Sequence, residues 1–463
     1  MAPRHLSEAA LADLRRQFTG TVITPDDQGY DEARALYNGM IDRRPAVIAQ
    51  CDGTADVAAA VRAARAADLP IAVRGGGHSV AGTASVDDGL VVDLRPMRGV
   101  RVDPDARTAQ IGGGATISDL DRATQPHGLA TTGGRASTTG VGGFTLGGGS
   151  GWLERKFGIA GDNLAAVEVV TADGRTVLAS PEHEPELFWA LHGGGGNFGV
   201  ATEITLRLHP LPAFSMVLLL FLPERSDEVL PVYRDVMDAA PDEAGGALIY
   251  LTGPPAPFVP EHLVGRLLCG VLVTYAGPLA EARQVAAPLL ALERAGELIT
   301  DIPYADLQCM LDDPPALRNY WSAEYLTALP DDALRVFRSL ADTMPVPTNS
   351  QHIVFPMGGA VARDAGDWPM PWRSSPWAVH PFGVWEDPAD DDRARDWVRD
   401  VRAAMRPWAR DSVYLNFIGF EGEERVVASF GEANYRRLAQ VKARFDPDNV
   451  FRLNHNIRPA AAA

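Results

Sequence analysis

The sequence predicts an α+β fold in two domains that meet near Pro210, and three observations carry that expectation. The chain has 463 residues, 46% of them apolar, which is more than one hydrophobic core ordinarily fills. Runs of three or more glycines fall at 75–77, 112–114, 147–149 and 193–196 and nowhere later. Before "TLRLHP" the apolar periodicity switches every few residues between helix and strand, and beyond it the β-like stretches lengthen.

The elements follow in order. Ser7 before an amphipathic pattern reads as the cap of a first helix. "TADVAAAVRAARAADLP" is a helix, "IAVRG", "GLVVDL" and "TAQIGGG" are strands, and "TISDLDRATQPHG" is a second amphipathic helix. "VEVVTADGRTVLAS" is a hairpin turning at Asp173-Gly174. Past the junction, "FSMVLLLFLP" suits a buried strand and is too short to span a bilayer. "GRLLCGVLVTYAG" and "SQHIVFPMGGAVA" continue as β-like stretches, and "ALRVFRSLADTM" is a helix. "PADDDRARD" reads as a solvated helix start. "FGEANYRRLAQVKARFDPDNVFRLNHNI" is a helix and an extended tail too apolar to hang free, so it is expected to dock.

Composition narrows the function classes. Forty-two basic against 60 acidic residues give a formal charge of -18, which repels phosphate backbones and anionic lipid surfaces. Nucleic acid and membrane are therefore excluded as expected partners. Only Lys156 and Lys442 are lysines; the arginine bias is read as compositional. Cys51, Cys269 and Cys309 share no close spacing, so neither a disulfide framework nor a thiolate metal site is expected, and a reducing cytoplasm fits. The histidines form no H-x-H or H-x-x-x-H pair, and no metal site is assigned.

The glycine runs carry the chemistry. Successive residues without Cβ let backbone N–H groups close on an anion, so glycine clusters at strand ends cradle phosphate or pyrophosphate. No G-x-x-x-x-G-K-[ST] is present, and "GGGHSV" does not complete G-x-G-x-x-G, which leaves P-loop and Rossmann readings without support. His78 ends the first run. Residue types alone leave it as a structural imidazole, a ligand without partners, or a nucleophile presented to a cofactor by the loop that binds it.

Four motifs then stand in order: "RGGGHS" at 74–79, "TTGVGGFTLGGGSGWLERKFGIAGDNL" at 138–164, "LFWALHGGGGNFGVAT" at 187–202 and "FDPDNVFRLNHNI" at 445–457. Together they resemble the berberine bridge enzyme-like FAD-linked oxidases of the vanillyl-alcohol oxidase, or PCMH-type, fold, over about 36–459. The resemblance implies a PCMH-type FAD-binding domain at 1–210, an antiparallel-sheet substrate domain covered by helices at 211–410, and a C-terminal segment at 411–463 that returns to the FAD domain. It implies FAD as cofactor, a small organic substrate (alcohol, sugar or secondary metabolite), O2 as electron acceptor with H2O2 released, and a monomer or homodimer. A flavin-binding protein without oxidase turnover, either a dehydrogenase handing electrons to another acceptor or a degenerate binder, is the alternative of a different class.

Residue by residue, the resemblance makes Arg74, Gly75, Gly76, Gly77, His78 and Ser79 the loop around the FAD pyrophosphate, with His78 bonded to the 8α-methyl of the isoalloxazine. Thr139, Gly140, Gly143, Gly149 and Gly151 would line the other side, Val200 the adenine end, and Asn454 and Asn456 would reach back from the tail. Many members carry a second link through the cysteine of G-x-C-x-x-x-G; Ala136 stands at that position here, so the flavin is expected to be monocovalent. Similar bacterial enzymes of secondary metabolism handle oxygen through a flavin N5-oxide beside the threonine matching Thr139, a second oxidative option. Such enzymes carry an acidic residue and a tyrosine where Ile353 and Ile249 stand, which implies a different substrate or chemistry.

"YLNF" at 414–417 resembles the family's Y-x-N motif. On a strand Tyr414 and Asn416 would face one cleft, and Tyr414 would be the catalytic base if its surroundings lower its pKa from about 10. On the substrate domain, Tyr250, Gln351, His352, Trp377 and His380 are the candidate substrate contacts. Alternation keeps His352 from facing the cleft together with Gln351 or Ile353.

Overall fold

In a computed structural model, residues 6–310, 312–363 and 367–461 are described. The first half builds two sheets. One sets Thr21–Ile23, Val47–Gln50, Leu90–Asp93 and Ile71–Arg74 side by side, the last three parallel. Parallel neighbours need a crossover; helix Thr54–Ala66 supplies it and buries Val57, Ala60, Val61 and Ala64. The other sheet is antiparallel, in the order Val100–Asp103, Thr108–Gly112, Val200–Arg207, Leu164–Val170 and Thr176–Ala179. Its last hairpin turns at Asp173-Gly174, where Gly174 takes φ +78°, a conformation that favours glycine.

The second half forms an antiparallel sheet in the order Gly296–Asp301, Ser215–Phe221, Leu267–Tyr275, Ala244–Thr252, Gln351–Pro356, Trp377–Trp385 and Arg318–Trp321. Glu324–Leu326 also pairs with Trp377–Trp385. Helices Ser226–Ala239, Asp331–Ala341 and Asp391–Met405 cover one face with Val229, Tyr233, Phe337, Trp397 and Val401. Strand alternation divides the side chains between two cores. Leu248 and Tyr250 enter the helix-side core, while Ile249, Ile353 and Phe355 join a core shared with Ile111, Phe144 and Trp152 of the first half and Ile457 of the tail. That shared core places the sheet over the glycine loops.

Two arginines fasten the halves. Arg155, buried, donates from Nε to the Ala244 carbonyl at 2.8 Å and from Nη2 to Ala240 at 3.2 Å, and also reaches Met357. Arg373, 2% exposed, grips Asp162 with Nη2 at 2.9 Å.

Two expected elements differ. "SQHIVFPMGGAVA" is strand only over Gln351–Pro356; Gly358 and Gly359, both at positive φ, turn the chain into helix Ala360–Arg363. "YLNF" is no strand: Leu415–Phe417 is a single 3₁₀ turn with Tyr414 at its start.

Candidate active site

The strand Ile71–Arg74 ends on Arg74, 1% exposed, which pairs with Asp93 at 3.1 Å on the neighbouring strand and donates to the Ala35 carbonyl at 3.2 Å. Burial pulls the Arg74 pKa down to about 10, with Asp93 opposing. Arg74 thus fixes where the loop starts while staying out of the cavity lining. Gly75, Gly76, Gly77, His78 and Ser79 line one cavity with Thr139, Gly140, Gly143, Gly193–Gly196 and Asn454. A Cβ on Gly76 would lie 2.3 Å from the Gly140 nitrogen, so glycine is what lets the two loops meet. Cβ atoms on Gly143, Gly195 or Gly196 would meet nothing within 4 Å; side chains there would fill the cradle instead. The buried Asn454 Oδ1 has no hydrogen-bond partner. A glycine-walled cradle with an unsatisfied acceptor in the tail beside it fits a dinucleotide cofactor.

Not every expected cofactor residue reaches the cavity. Gly149 acts through its N–H, which donates to the Tyr414 hydroxyl at 3.0 Å. Gly151 packs on the Gly133 carbonyl, only 1.7 Å from where its Cβ would be. Val200 is fully buried in the core behind the loops, and its neighbours Gly199 and Ala201 take the wall position. Asn456 has a buried unpartnered Oδ1 but is not part of the wall. Ala136 lines the cavity, whereas Cys51 and Cys269 are buried elsewhere and Cys309 is exposed.

His78 is stacked on Tyr37, ring centroids 3.9 Å apart and planes 16° from parallel. Burial pushes its pKa down to about 4, so near neutral pH the imidazole keeps a free lone pair. That is the state a nucleophile needs.

Tyr414 and Asn416 meet although they are not on a strand. The turn brings Asn416 Nδ2 to 2.8 Å from the Tyr414 oxygen, and Asn416 also donates to the Gly143 carbonyl at 3.1 Å. The phenol oxygen therefore accepts two N–H bonds, leaving its own O–H to point elsewhere. The chain's own groups do not supply the lowered pKa that a base would need: burial pushes it up to about 12, with the Asn416 and Gly149 donors pulling the other way. Desolvation outweighs the two donors because the side chain is 1% exposed.

The substrate-side expectations divide by strand parity. Gln351, Ile353 and Phe355 line the cavity together with Trp321, His380, Phe382 and Phe417. Tyr250, His352 and Trp377 project from the opposite face and are withdrawn as substrate contacts. Tyr250 donates to Ser226 Oγ at 2.6 Å, His352 Nε2 meets the Phe337 carbonyl at 2.9 Å, and Trp377 packs beneath the helices. His380 stacks on Phe417 at 4.2 Å, and its Nδ1 lies 2.9 Å from the Ser322 carbonyl. A carbonyl only accepts, so Nδ1 carries the hydrogen and Nε2 is left as an acceptor. Burial holds the His380 pKa down at about 4, which keeps that acceptor neutral.

Three cavity or tail residues were not singled out from sequence. Arg135 lies over the Phe355 ring at 3.9 Å and pairs with buried Glu154 at 2.8 Å. Tyr37 carried no motif at all. Lys442, fully buried, donates to the carbonyls of Asn197 and Phe451 at 2.6 and 2.9 Å and to Asp446 at 2.7 Å. A lone lysine in an arginine-rich tail helix was the available signal, since three converging acceptors suit a compact ammonium better than a planar fork.

Fold and cradle together define a PCMH-type flavin-dependent oxidoreductase. Residues 45–180 match the family model described as FAD binding domain, and residues 413–458 match berberine and berberine like. The chain is 30% identical over 451 residues to (R)-6-hydroxynicotine oxidase of Paenarthrobacter nicotinovorans, covering 95% of this chain and 97% of that one. An uncharacterised FAD-linked oxidoreductase of Bacillus subtilis is 29% identical over 96% of this chain and 99% of its own. The crystal structure of 6-hydroxy-D-nicotine oxidase from Arthrobacter nicotinovorans superposes with a TM-score of 0.85 at 28% identity, over 96% and 98% of the two chains. A chitooligosaccharide oxidase shares the fold, with a TM-score of 0.84 at 21% identity over 98% and 100%. The protein belongs to the berberine bridge enzyme-like family of FAD-linked oxidoreductases.

Proposed function

We propose that this oxidoreductase oxidises a small, largely apolar organic substrate carrying a hydroxyl or amine, on an FAD attached through His78 alone, with O2 as final acceptor. The observation that carries this reading is convergence. One cavity receives the neutral His78 imidazole, the Tyr414–Asn416 pair and the His380 acceptor from three separate parts of the chain. Bound FAD would accept a hydride from the substrate carbon and pass two electrons to O2, giving H2O2.

Trp321, Phe355, Phe382 and Phe417 give this part of the cavity an apolar wall, and His380 Nε2 and Gln351 provide its polar points. An acceptor that stays neutral selects a substrate O–H or N–H and gives no charge pairing to a carboxylate. The Tyr414 hydroxyl, with both lone-pair directions engaged by N–H groups, holds the substrate heteroatom that loses its proton as hydride leaves. The relative named for 6-hydroxynicotine supports a small substrate of this kind.

The test is acid denaturation of purified protein with intact mass, beside a peroxide assay over aromatic alcohols, amines and sugars. A yellow pellet heavier by one FAD, lost in His78→Ala, is the expected result. A colourless wild-type pellet overturns attachment through His78. Substrate-dependent flavin reduction without peroxide removes O2 as acceptor and makes the protein a dehydrogenase.

A further inference from the structure

The segment at 36–40 and the segment at 312–319 clasp each other across the two halves of the chain. Asn38 Nδ2 donates to the Asn319 carbonyl at 2.9 Å, and the Asn319 N–H donates back to Asn38 Oδ1 at 3.2 Å, with both asparagines buried. The Gly39 N–H meets the Leu317 carbonyl at 2.9 Å. A Cβ on Gly39 would stand 2.1 Å from the Ala316 oxygen, so the approach is close enough to need glycine. Asp312 receives the Ser137 N–H at 2.7 Å and its hydroxyl at 2.5 Å, which ties the same segment to the cavity wall. Between these fixed points Tyr37 lies beside Asp313, whose Oδ1 accepts from Asn349 at 2.8 Å.

Tyr37 is therefore held through its chain neighbours Asn38 and Gly39, and its ring faces His78. His78 is held by very little else. Its loop has three glycines before it, and among the described residues no hydrogen bond orients its ring. The χ2 torsion of histidine is broad and soft, so stacking at 3.9 Å and 16° is the main restraint on the plane of the imidazole.

We propose that Tyr37 is the positioning residue for cofactor attachment: anchored to the second half of the chain by the Asn38–Asn319 clasp and the Gly39–Leu317 hydrogen bond, it presents the His78 imidazole in the plane from which it bonds to the flavin. This rests on attachment through His78. The step forms one bond between an imidazole nitrogen and the 8α-methyl carbon and breaks the imidazole N–H and one methyl C–H. Both protons leave to solvent or the ring, and the two electrons remain on the isoalloxazine until O2 removes them. Tyr37 takes no proton in this; it sets geometry, and a misplacement on the scale of 1 Å costs up to about 10²-fold in such reactions.

The experiment uses full-length protein produced under riboflavin limitation and then given FAD. Non-covalent binding is read at early times by flavin fluorescence, and covalent attachment by intact mass over hours. Tyr37→Leu and Tyr37→Met are expected to bind FAD with near wild-type affinity and to attach it at least about tenfold more slowly. Tyr37→Phe, which keeps the stack, is expected to restore most of the rate. Attachment at the wild-type rate in whichever of the Leu and Met variants folds overturns the proposal, as does a parallel loss of binding and attachment, which would mark a merely structural tyrosine. A wild-type chain that never gains the mass of FAD, or a His78→Ala chain that does, overturns the attachment reading itself and this role with it.

Discussion

Tyr414 is the cavity residue whose burial bears most directly on the proposed chemistry. A phenol pushed up to about 12 is protonated throughout the neutral range, so the protein without substrate presents a hydroxyl donor and not a phenolate. If proton removal by Tyr414 limits the reaction, flavin reduction by substrate rises with pH through the alkaline range toward that value, since the reactive form is the deprotonated one. Tyr414→Phe is expected to bind FAD, to lose about 10²-fold or more in the reduction rate, and to flatten the alkaline rise. Stopped-flow reduction across pH checks both, and an unchanged profile removes Tyr414 from the chemistry. The sequence made His78 legible because its loop is local: three glycines, an imidazole and a strand end are adjacent in the chain. Tyr37 and Arg135 were not, because what defines them is a ring or carboxylate brought near by folding.

Among the elements, the tail helix Glu432–Phe445 illustrates how little margin a buried charge has. Lys442 and Asp446 are both fully buried, and Asp446 also receives the N–H groups of Val450 and Phe451 at 2.7 and 2.9 Å. This knot turns the chain toward Asn454. Removing one partner of such a pair costs roughly 3–5 kcal/mol because the other charge is stranded. Lys442→Met is expected to lower Tm, free the tail and weaken FAD binding, whereas Lys442→Met combined with Asp446→Leu recovers part of the Tm without restoring the tail. Thermal unfolding with and without FAD separates the two effects. Helices and strands were legible wherever periodicity was long, as in Thr54–Ala66 and Leu267–Tyr275. What periodicity cannot supply is which face of a strand meets which layer. Along 350–356 alternation separated His352 from Gln351 and Ile353, but only the packing of Phe337 against His352 decides which set is turned away from the cavity.

Across the whole molecule, the halves meet around a buried carboxyl as well as at Arg155 and Arg373. Helix Ile117–Thr124 lies against Tyr304–Cys309, and between them Asp121 is almost fully buried, with Oδ2 unpartnered. Burial raises its pKa from 3.8 to about 8. The folded state thus holds a proton that the unfolded chain releases above pH 4. This contribution to stability is complete below the unfolded value and is lost as pH rises through the folded one, by up to about 1.4 kcal/mol per pH unit in between. Asp121→Asn is expected to leave Tm little changed at pH 4 and to raise it relative to wild type at pH 8; an equal offset at both pH values would mean that the carboxyl does not titrate as its burial dictates. No helix among the described residues is long and apolar enough to cross a membrane.

The cavity wall is drawn from 75–79, 139–150, 193–201 and 451–455, and those stretches leave the ribosome at widely separated times. While the chain is being synthesised, the glycine loops emerge first with one side open. The strands bearing Phe355 and His380 follow, and the Lys442 knot and Asn454 arrive only at the end of that order. Enclosure of the cofactor must then be a late event in the life of the polypeptide. Cells starved of riboflavin during a pulse of expression should accumulate a chain that can still be loaded afterwards, and ribosome-stalled chains ending before residue 440 should take up FAD without retaining it.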